Sequence, residues 1–278
     1  MVNEKKPAPT GFDLSKKIKE NLSKIKYKIA VMSGKGGVGK TTVTANLAYA
    51  LAMRNYRVGI LDADIYGPDI PIALRIEDKT PRVENEMIIP FKGPLGISVM
   101  SIQFLLPEED SPVVWMGPLV AKAIIQFLAQ VRWGELDFLL IDLPPGTGDE
   151  VLAVIKNIPD LTGLVIVVTP QRIALHDAKK AVGMAKIVGV PVLGIIENMS
   201  GFRCPYCGRI TYIFGRGGGR ITAEKLGIRF LGELPLDPRI VELTDEGKPF
   251  ITEDTEISKK FSEIVDNLIE SIRTIQEK

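Results

Sequence analysis

The chain has 278 residues, 35 Lys and Arg against 34 Asp and Glu, a formal net charge of +1 and 45% hydrophobic residues. This balance fits a globular protein with a sizeable core and excludes both a disordered chain and one that coats nucleic acid through a broad basic field. No apolar run approaches the ~20 residues that span a bilayer, and the opening MVNEKKPAPTGFD lacks the apolar core of a secretory signal. The expectation is a cytoplasmic protein with neither membrane nor nucleic acid as partner.

Residues 1–26 form a charged leader in which Leu14, Ile18, Leu22 and Ile25 recur at helical spacing. A single domain is expected from 27 to 278. It opens with the strand KIAVMS, a helix from about Gly39 to Arg54 and the strand RVGILDAD. Further short apolar runs are GISVMS, DFLLID, GLVIVVT, VLGIIEN and IRFLGELP. Continuous Val, Ile and Leu without alternation suit parallel strands covered on both faces. Helical stretches lie between them, at Leu119 to Val131, Glu150 to Lys156, Ile173 to Val188 and Gly218 to Leu226. Strand and helix in alternation predict an α/β fold, a doubly wound and mostly parallel sheet flanked by helices. Ligands of such sheets gather at the C-terminal strand ends. A last helix over 255–276 carries Ile257, Phe261, Ile264, Val265, Leu268 and Ile272 on one face. Its polar face mixes acids with lysines, so packing on the domain is favoured over a membrane surface.

The string SGKGGVGKTT follows the first strand and opens the first helix. Gly34 through Gly39, then Lys40 and Thr41, satisfy the P-loop formula in the strand–loop–helix context that makes it specific. Glycines let backbone N–H groups wrap phosphate oxygens, and the helix aims its N-terminus at the anion. The binding stretch is therefore Gly34, Lys35, Gly36, Gly37, Val38, Gly39, Lys40, Thr41 and Thr42, with ATP or ADP as ligand. Lys40 reaches the β and γ phosphates, and the Thr41 hydroxyl is a ligand for Mg²⁺. Asp142, ending DFLLID, is the downstream acid of the Walker B arrangement. Gly146 in PPGTG is placed to offer a backbone N–H to the γ phosphate. Asp62 and Asp64 end another strand, where a carboxylate can hold an attacking water. The extra lysine, Lys35, marks a deviant Walker A loop of the MinD-like branch of P-loop ATPases. That likeness implies a finger reaching the partner subunit's nucleotide in a face-to-face dimer.

The chain has two cysteines, Cys204 and Cys207, in FRCPYCG. Two thiols at this spacing suit half of a zinc site, a redox disulfide or half of an iron–sulfur site. A four-thiolate site needs a second pair, which a symmetric dimer supplies across its two-fold axis. The one histidine, His176, lies in a helical stretch and is read as surface or capping.

Together, SGKGGVGKTT, LDADIYGPDIP, WGELDFLLIDLPPGTGD, VTPQRIALHDAKKA, GIIENMSGFRCPYCG, IFGRGGG and LGELPLDP resemble the Mrp/ApbC family of iron–sulfur cluster carrier ATPases, from about residue 25 to 250. The resemblance implies a homodimeric, slow ATPase. It would hold a [4Fe–4S] cluster between two C-x-x-C pairs, with zinc as a possible substitute, and pass the cluster to apo iron–sulfur proteins. It also implies that Asp64 positions the water, Thr42 contacts the α phosphate, and Asn198 with Pro235 to Asp237 holds adenine. The leader lacks the additional four-cysteine motif of some relatives, and Asp69 stands where many carry a small hydroxyl residue. The alternatives are a MinD/ParA-like positioning ATPase acting on membrane or DNA, a nitrogenase-iron-protein-like electron donor, and a zinc-bridged dimer. The C-x-x-C pair argues against the first, and its close spacing against the second.

Overall fold

The computed structural model describes residues 11–77, 79–105 and 117–277. Residues 1–10 of the expected leader lie outside them. The remainder of that leader is a helix, α1 (Gly11–Leu22), followed at once by β1 (Ile25–Met32). The strand begins two residues earlier than the apolar run at Tyr27 suggests, because Ile25 is already buried. After β1 come α2 (Lys40–Met53), β2 (Val58–Asp62) and the short α3 (Ile70–Ala73). A small excursion follows, with the hairpin β3 (Arg82–Glu84) and β4 (Met87–Ile89), then β5 (Phe91–Lys92) and β6 (Ser98–Met100). The second half contains α4 (Gly117–Gln130), β7 (Leu136–Asp142), α5 (Asp149–Asn157), β8 (Gly163–Val168), α6 (Arg172–Val188) and β9 (Val192–Glu197). It ends with the two-residue strands β10 (Phe202–Arg203) and β11 (Ile210–Thr211), then α7 (Gly218–Leu226), β12 (Phe230–Glu233), α8 (Pro238–Asp245) and α9 (Glu256–Gln276).

Among the described residues, eight strands form one sheet in the order β12-β9-β8-β1-β7-β2-β6-β5. All its pairings are parallel except β5 with β6 at the edge. The doubly wound α/β fold expected from the alternating runs is the one observed. β1 lies near the middle, between β8 and β7, and the chain leaves it toward β2 on one side and returns later to β8 on the other. That reversal opens a crevice at the strand ends. Register fixes what borders it: Val31 is opposite Asp142, and Asp62 is opposite Asp142. The loops after β1, β2 and β7 therefore start from one line across the sheet.

Burial explains why these segments take these forms. Ile29 through Met32, Leu139 through Ile141 and Leu164 through Val167 are all fully buried, as strands with helices on both faces must be. α9 lays Ile257, Phe261, Ile264, Val265, Leu268 and Ile272 into the core. Its Asn267 amide donates to Leu231 O at 2.9 Å and its Ser271 hydroxyl to Leu193 O at 2.6 Å. The last helix is thus a wall of the domain. α1 docks in the same way, with Ile18 and Leu22 buried and the Asn21 amide donating to Leu128 O and Val131 O at 2.8 and 2.7 Å.

If α1 is part of the fold, truncating its most buried residue carries the cost of a core cavity. Leu22→Ala is expected to lower unfolding free energy by about 2–5 kcal/mol in a denaturant titration. A change below about 0.5 kcal/mol, the range of ordinary surface substitutions, would show that α1 contributes little to the core.

Candidate functional site

The loop between β1 and α2 owes its shape to glycine. Gly37 and Gly39 have φ of 73° and 82°, a left-handed conformation that costs other residues strain. A Cβ on Gly39 would also strike the Asn198 side-chain amide. That amide donates to Val38 O at 2.9 Å, pinning the loop to the end of β9. At the start of α2, the buried Lys40 ammonium donates to Asp142 Oδ2 at 2.7 Å. The same oxygen accepts from the Thr41 hydroxyl at 2.8 Å, and Asp142 Oδ1 accepts from the Thr44 hydroxyl at 2.6 Å. Lys40 Nζ is also 3.8 Å from Asp64 Oδ2. Beside this cluster is a cavity of about 260 Å³, bounded by Gly39, Thr42, Asn198, Leu234, Pro235 and Asp237 among others. Its mostly apolar wall next to a phosphate-type loop suits a flat heteroaromatic base.

The two cysteines lie in the turn that joins the antiparallel strands β10 and β11. A tight turn holds them: Cys204 N donates to Arg209 O and Gly208 N to Cys204 O, both at 2.9 Å. Cys204 is half-buried and Cys207 exposed. The backbone N–H of Cys207, then that of Tyr206, then the Cys207 thiol hold the Cys204 thiol below its ordinary pKa. Donors aimed at sulfur favour the thiolate, the form that binds metal. Around the pair, Tyr206 is 97% exposed, Ile213 55% and Ile210 49%. No acidic residue falls between Glu197 and Glu224, a stretch that contains Arg203, Arg209, Arg216 and Arg220.

A family model for NUBPL iron-transfer P-loop NTPases matches residues 24–269. The chain belongs to that family. An iron-sulfur cluster carrier protein of Methanocaldococcus jannaschii is 52% identical over 256 residues, covering 92% of this chain and 88% of the relative. The iron-sulfur cluster transfer protein NUBPL of Dictyostelium discoideum is 45% identical over 255 residues, covering 90% and 78%. Among solved structures, a nucleotide-binding protein of Archaeoglobus fulgidus in complex with ADP aligns with a TM-score of 0.77 at 48% identity, covering 86% of this chain and 93% of that one. The MinD cell division protein of Aquifex aeolicus aligns with a TM-score of 0.62 at 21% identity, covering 88% and 97%, and shares the fold.

The P-loop residues of this iron-transfer NTPase converge with Asp64, Asp142 and Asn198 on one crevice. Lys35 stands apart. Its ammonium donates to Gln171 Oε1 at 2.8 Å, at the start of α6, instead of joining Lys40. The Gly146 N–H donates to Ser33 O at 2.9 Å and so braces the loop after β7 against that after β1. Asp237 caps α8 by accepting from Arg239 N at 2.9 Å, and both its oxygens engage the Arg239 guanidinium. Those hydrogen bonds hold its carboxyl below the usual range. His176 is 70% exposed, beside Asp177.

Thr44 and Gln171 were not foreseen. Thr44 had a signal, being one helical turn beyond Lys40 and so on the same face. Gln171 had none, since its contact spans 136 positions.

The donor set fits Mg²⁺. Thr41 Oγ1 and Asp142 Oδ2 lie 2.8 Å apart, with Asp62 and Asp64 nearby. An ion of this kind takes one or two protein oxygens and otherwise waters and phosphate. Burial, reinforced by neighbouring carboxylates, explains the titration here. Burial, then the neighbouring Asp142 charge, raises Asp62 well above its ordinary value, against the Lys40 ammonium and the Ser101 hydroxyl that donates to it at 3.0 Å. Burial pushes Asp64 up to about 6 despite the opposing pull of Lys40. The native Asp64 carboxyl thus holds its proton more tightly than the unfolded one, so the native state loses stability as pH rises from the normal carboxylate range through about 6. Asp64→Asn is expected to raise Tm relative to wild type at pH 7.5, and the gap should close near pH 4. A gap that is the same at both pH values would contradict a buried, proton-retaining Asp64.

Proposed function

We propose that this chain binds and hydrolyses ATP and carries a [4Fe–4S] cluster between the C-x-x-C pairs of two copies, delivering it to apo iron–sulfur proteins. The observation that carries this reading is the thiol turn itself. It is a preorganised pair, half-buried Cys204 held toward the thiolate and exposed Cys207, with half the ligands of a tetrathiolate cage, in the segment that follows the β9 end from which Asn198 pins the P-loop. Relatives named as iron-sulfur cluster carriers, at about half identity across most of the chain, support it. The burial of α9's apolar face leaves that helix engaged with the sheet, which weighs against a membrane-positioning ATPase.

In this reading Gly34 to Thr42 wrap the phosphates. Lys40 exchanges its bond to Asp142 for the β and γ oxygens, which releases Asp142. Thr41 and Asp142 would hold Mg²⁺, which offsets phosphate charge when bound. Asp64 accepts a hydrogen bond from the attacking water and aligns it, a task that needs the ionised carboxylate. Lys35, engaged on the surface by Gln171, is available to a facing subunit's nucleotide, where a cation stabilises the charge spread over the transferring phosphoryl group. Asn198 and Pro235 to Asp237 border the base. Two thiol turns meeting across a two-fold axis close the cage around the cargo, and their arginines offset the net negative charge of a tetrathiolate cluster.

Anaerobic reconstitution with iron and sulfide is expected to give about one four-iron cluster per dimer, and Cys204→Ser or Cys207→Ser to lose the iron and the iron-dependent dimer seen by sedimentation velocity. A serine variant with its full iron complement, or wild type that retains zinc in place of iron, would refute the cargo assignment. Separately, Lys40→Ala should abolish ATP binding in a calorimetric titration, while Asp64→Asn should keep binding and lower turnover at least ten-fold. Unchanged turnover would remove Asp64 from the chemistry.

A further inference from the structure

Glu197 is the last residue of β9 and is fully buried. Its Oε1 accepts from the Ser200 hydroxyl at 2.6 Å and from Gly217 N at 3.0 Å, and its Oε2 accepts from Gly219 N at close range. Ser200 lies just before the thiol-bearing excursion, and Gly217 and Gly219 lie just after it, at the start of α7. One carboxylate therefore clamps both ends of the segment that presents Cys204 and Cys207. The fit is close: a Cβ on Gly219 would lie 3.0 Å from Glu197 Oε2.

The next residue faces the other way. Asn198 donates its side-chain amide to Val38 O in the P-loop, and its backbone N–H to Val168 O at 2.7 Å. A single peptide bond thus joins the group that pins the P-loop to the group that clamps the thiol excursion. Three further backbone bonds stiffen the junction: Leu234 N to Glu197 O, Ser200 N to Leu234 O and Leu236 N to Gly201 O, each at 2.8 Å. Leu234 and Leu236 also line the base cavity.

We propose that Glu197 is a positioning residue that couples the nucleotide loop to the thiol pair: a shift of the Val38 carbonyl on nucleotide binding moves Asn198, and with it the clamp that sets how the two cysteines are presented. Glu197 touches neither ligand. The proposal rests on the carrier reading for the identity of the cargo, while the mechanical link rests on the hydrogen bonds alone. Both oxygens of the carboxyl group act here as acceptors, and between them they meet three donors. The isosteric Glu197→Gln turns one acceptor into a donor facing an N–H or hydroxyl, which loosens the clamp without removing volume.

The test compares ATP affinity of full-length protein before and after anaerobic cluster loading. Coupled sites commonly differ by at least about five-fold, and the same factor must appear in cluster affinity. Wild type is expected to show such a ratio, and Glu197→Gln a ratio near one with both ligands still bound. A helix cap without a coupling role would leave the ratio unmoved, so an unchanged ratio overturns the proposal and spares the carrier reading. A second measurement needs no cargo. In cluster-free protein, ADP should alter hydrogen exchange of amides 201–219 in wild type and not in Glu197→Gln. No ADP effect there in wild type would overturn the link whatever the cargo proves to be. If Glu197→Gln fails to fold, Ser200→Ala, which removes one of the three donors, should reduce both effects in the same direction, and unreduced effects would overturn the proposal.

Discussion

The Lys40–Asp142 pair, 2.7 Å long and almost fully buried, is the interaction on which the crevice depends. Lys40 is the ammonium that opposes the raised carboxyls of Asp62, Asp64 and Asp69. Removing one partner of a buried pair leaves a charge that neither solvent nor the protein interior can repay. Around a polyphosphate the same shortage of positive charge becomes useful. The lysine has two competing sets of oxygens, and a carboxylate released by one is available to a divalent cation. The sheet makes this possible because register places Val31, Asp62 and Asp142 side by side, so the groups converge without any single loop having to be long.

Legibility in the sequence followed the range of the interaction. SGKGGVGKTT was recognisable because its spacing and its strand–helix context are local, and the parallel strands because their burial on both faces is written as unbroken Val, Ile and Leu. The β3–β4 hairpin escaped notice because Asn85 and Glu86, at φ of 51° and 64°, make a left-handed turn without the glycine that normally signals one. The edge strand β5 and the helices α3 and α8 are short and proline-bearing or isolated, too brief for a period to emerge. Gly146 shows a different limit. Its motif predicts the right neighbourhood, but the partner of its N–H is set by the approach of the loop after β7 to that after β1. Gln171 and Glu197 act through contacts that depend on chain folding, which residue type and local spacing do not record.

The thiol region obeys a constraint opposite to that of the crevice. The crevice has excess carboxylate and awaits cations, whereas the stretch from residue 198 to 223 has four arginines and no acid. In the proposed dimer the arginines of two such stretches would face each other, tempered by Glu233, Asp237 and Glu256 beside Arg203 and Arg216 and by salt, which screens exposed charges over about 10 Å. Apolar groups such as Tyr206 and Ile213 favour contact while the arginines oppose it. An anion held between the two thiol pairs reverses that balance. In the proposed reading the cargo is therefore also part of what holds the carrier together, and its departure weakens the interface that retained it.

These two oppositely charged sites need a rigid connection if the state of one is to reach the other. The arginine-rich stretch has little core of its own: its strands are two residues long and most of its side chains are exposed. Its position is borrowed from the anchors at its base. Buried hydrogen bonds to a carboxylate are stronger than neutral ones, so Glu197 fixes the base firmly while leaving the thiol turn above it free to meet different surfaces. A larger hydrophobic base would hold the turn as well but would give it no polar line to the P-loop. Placing Glu197 and Asn198 side by side at the end of one interior strand supplies both the grip and the line, with the sheet as the common reference for each.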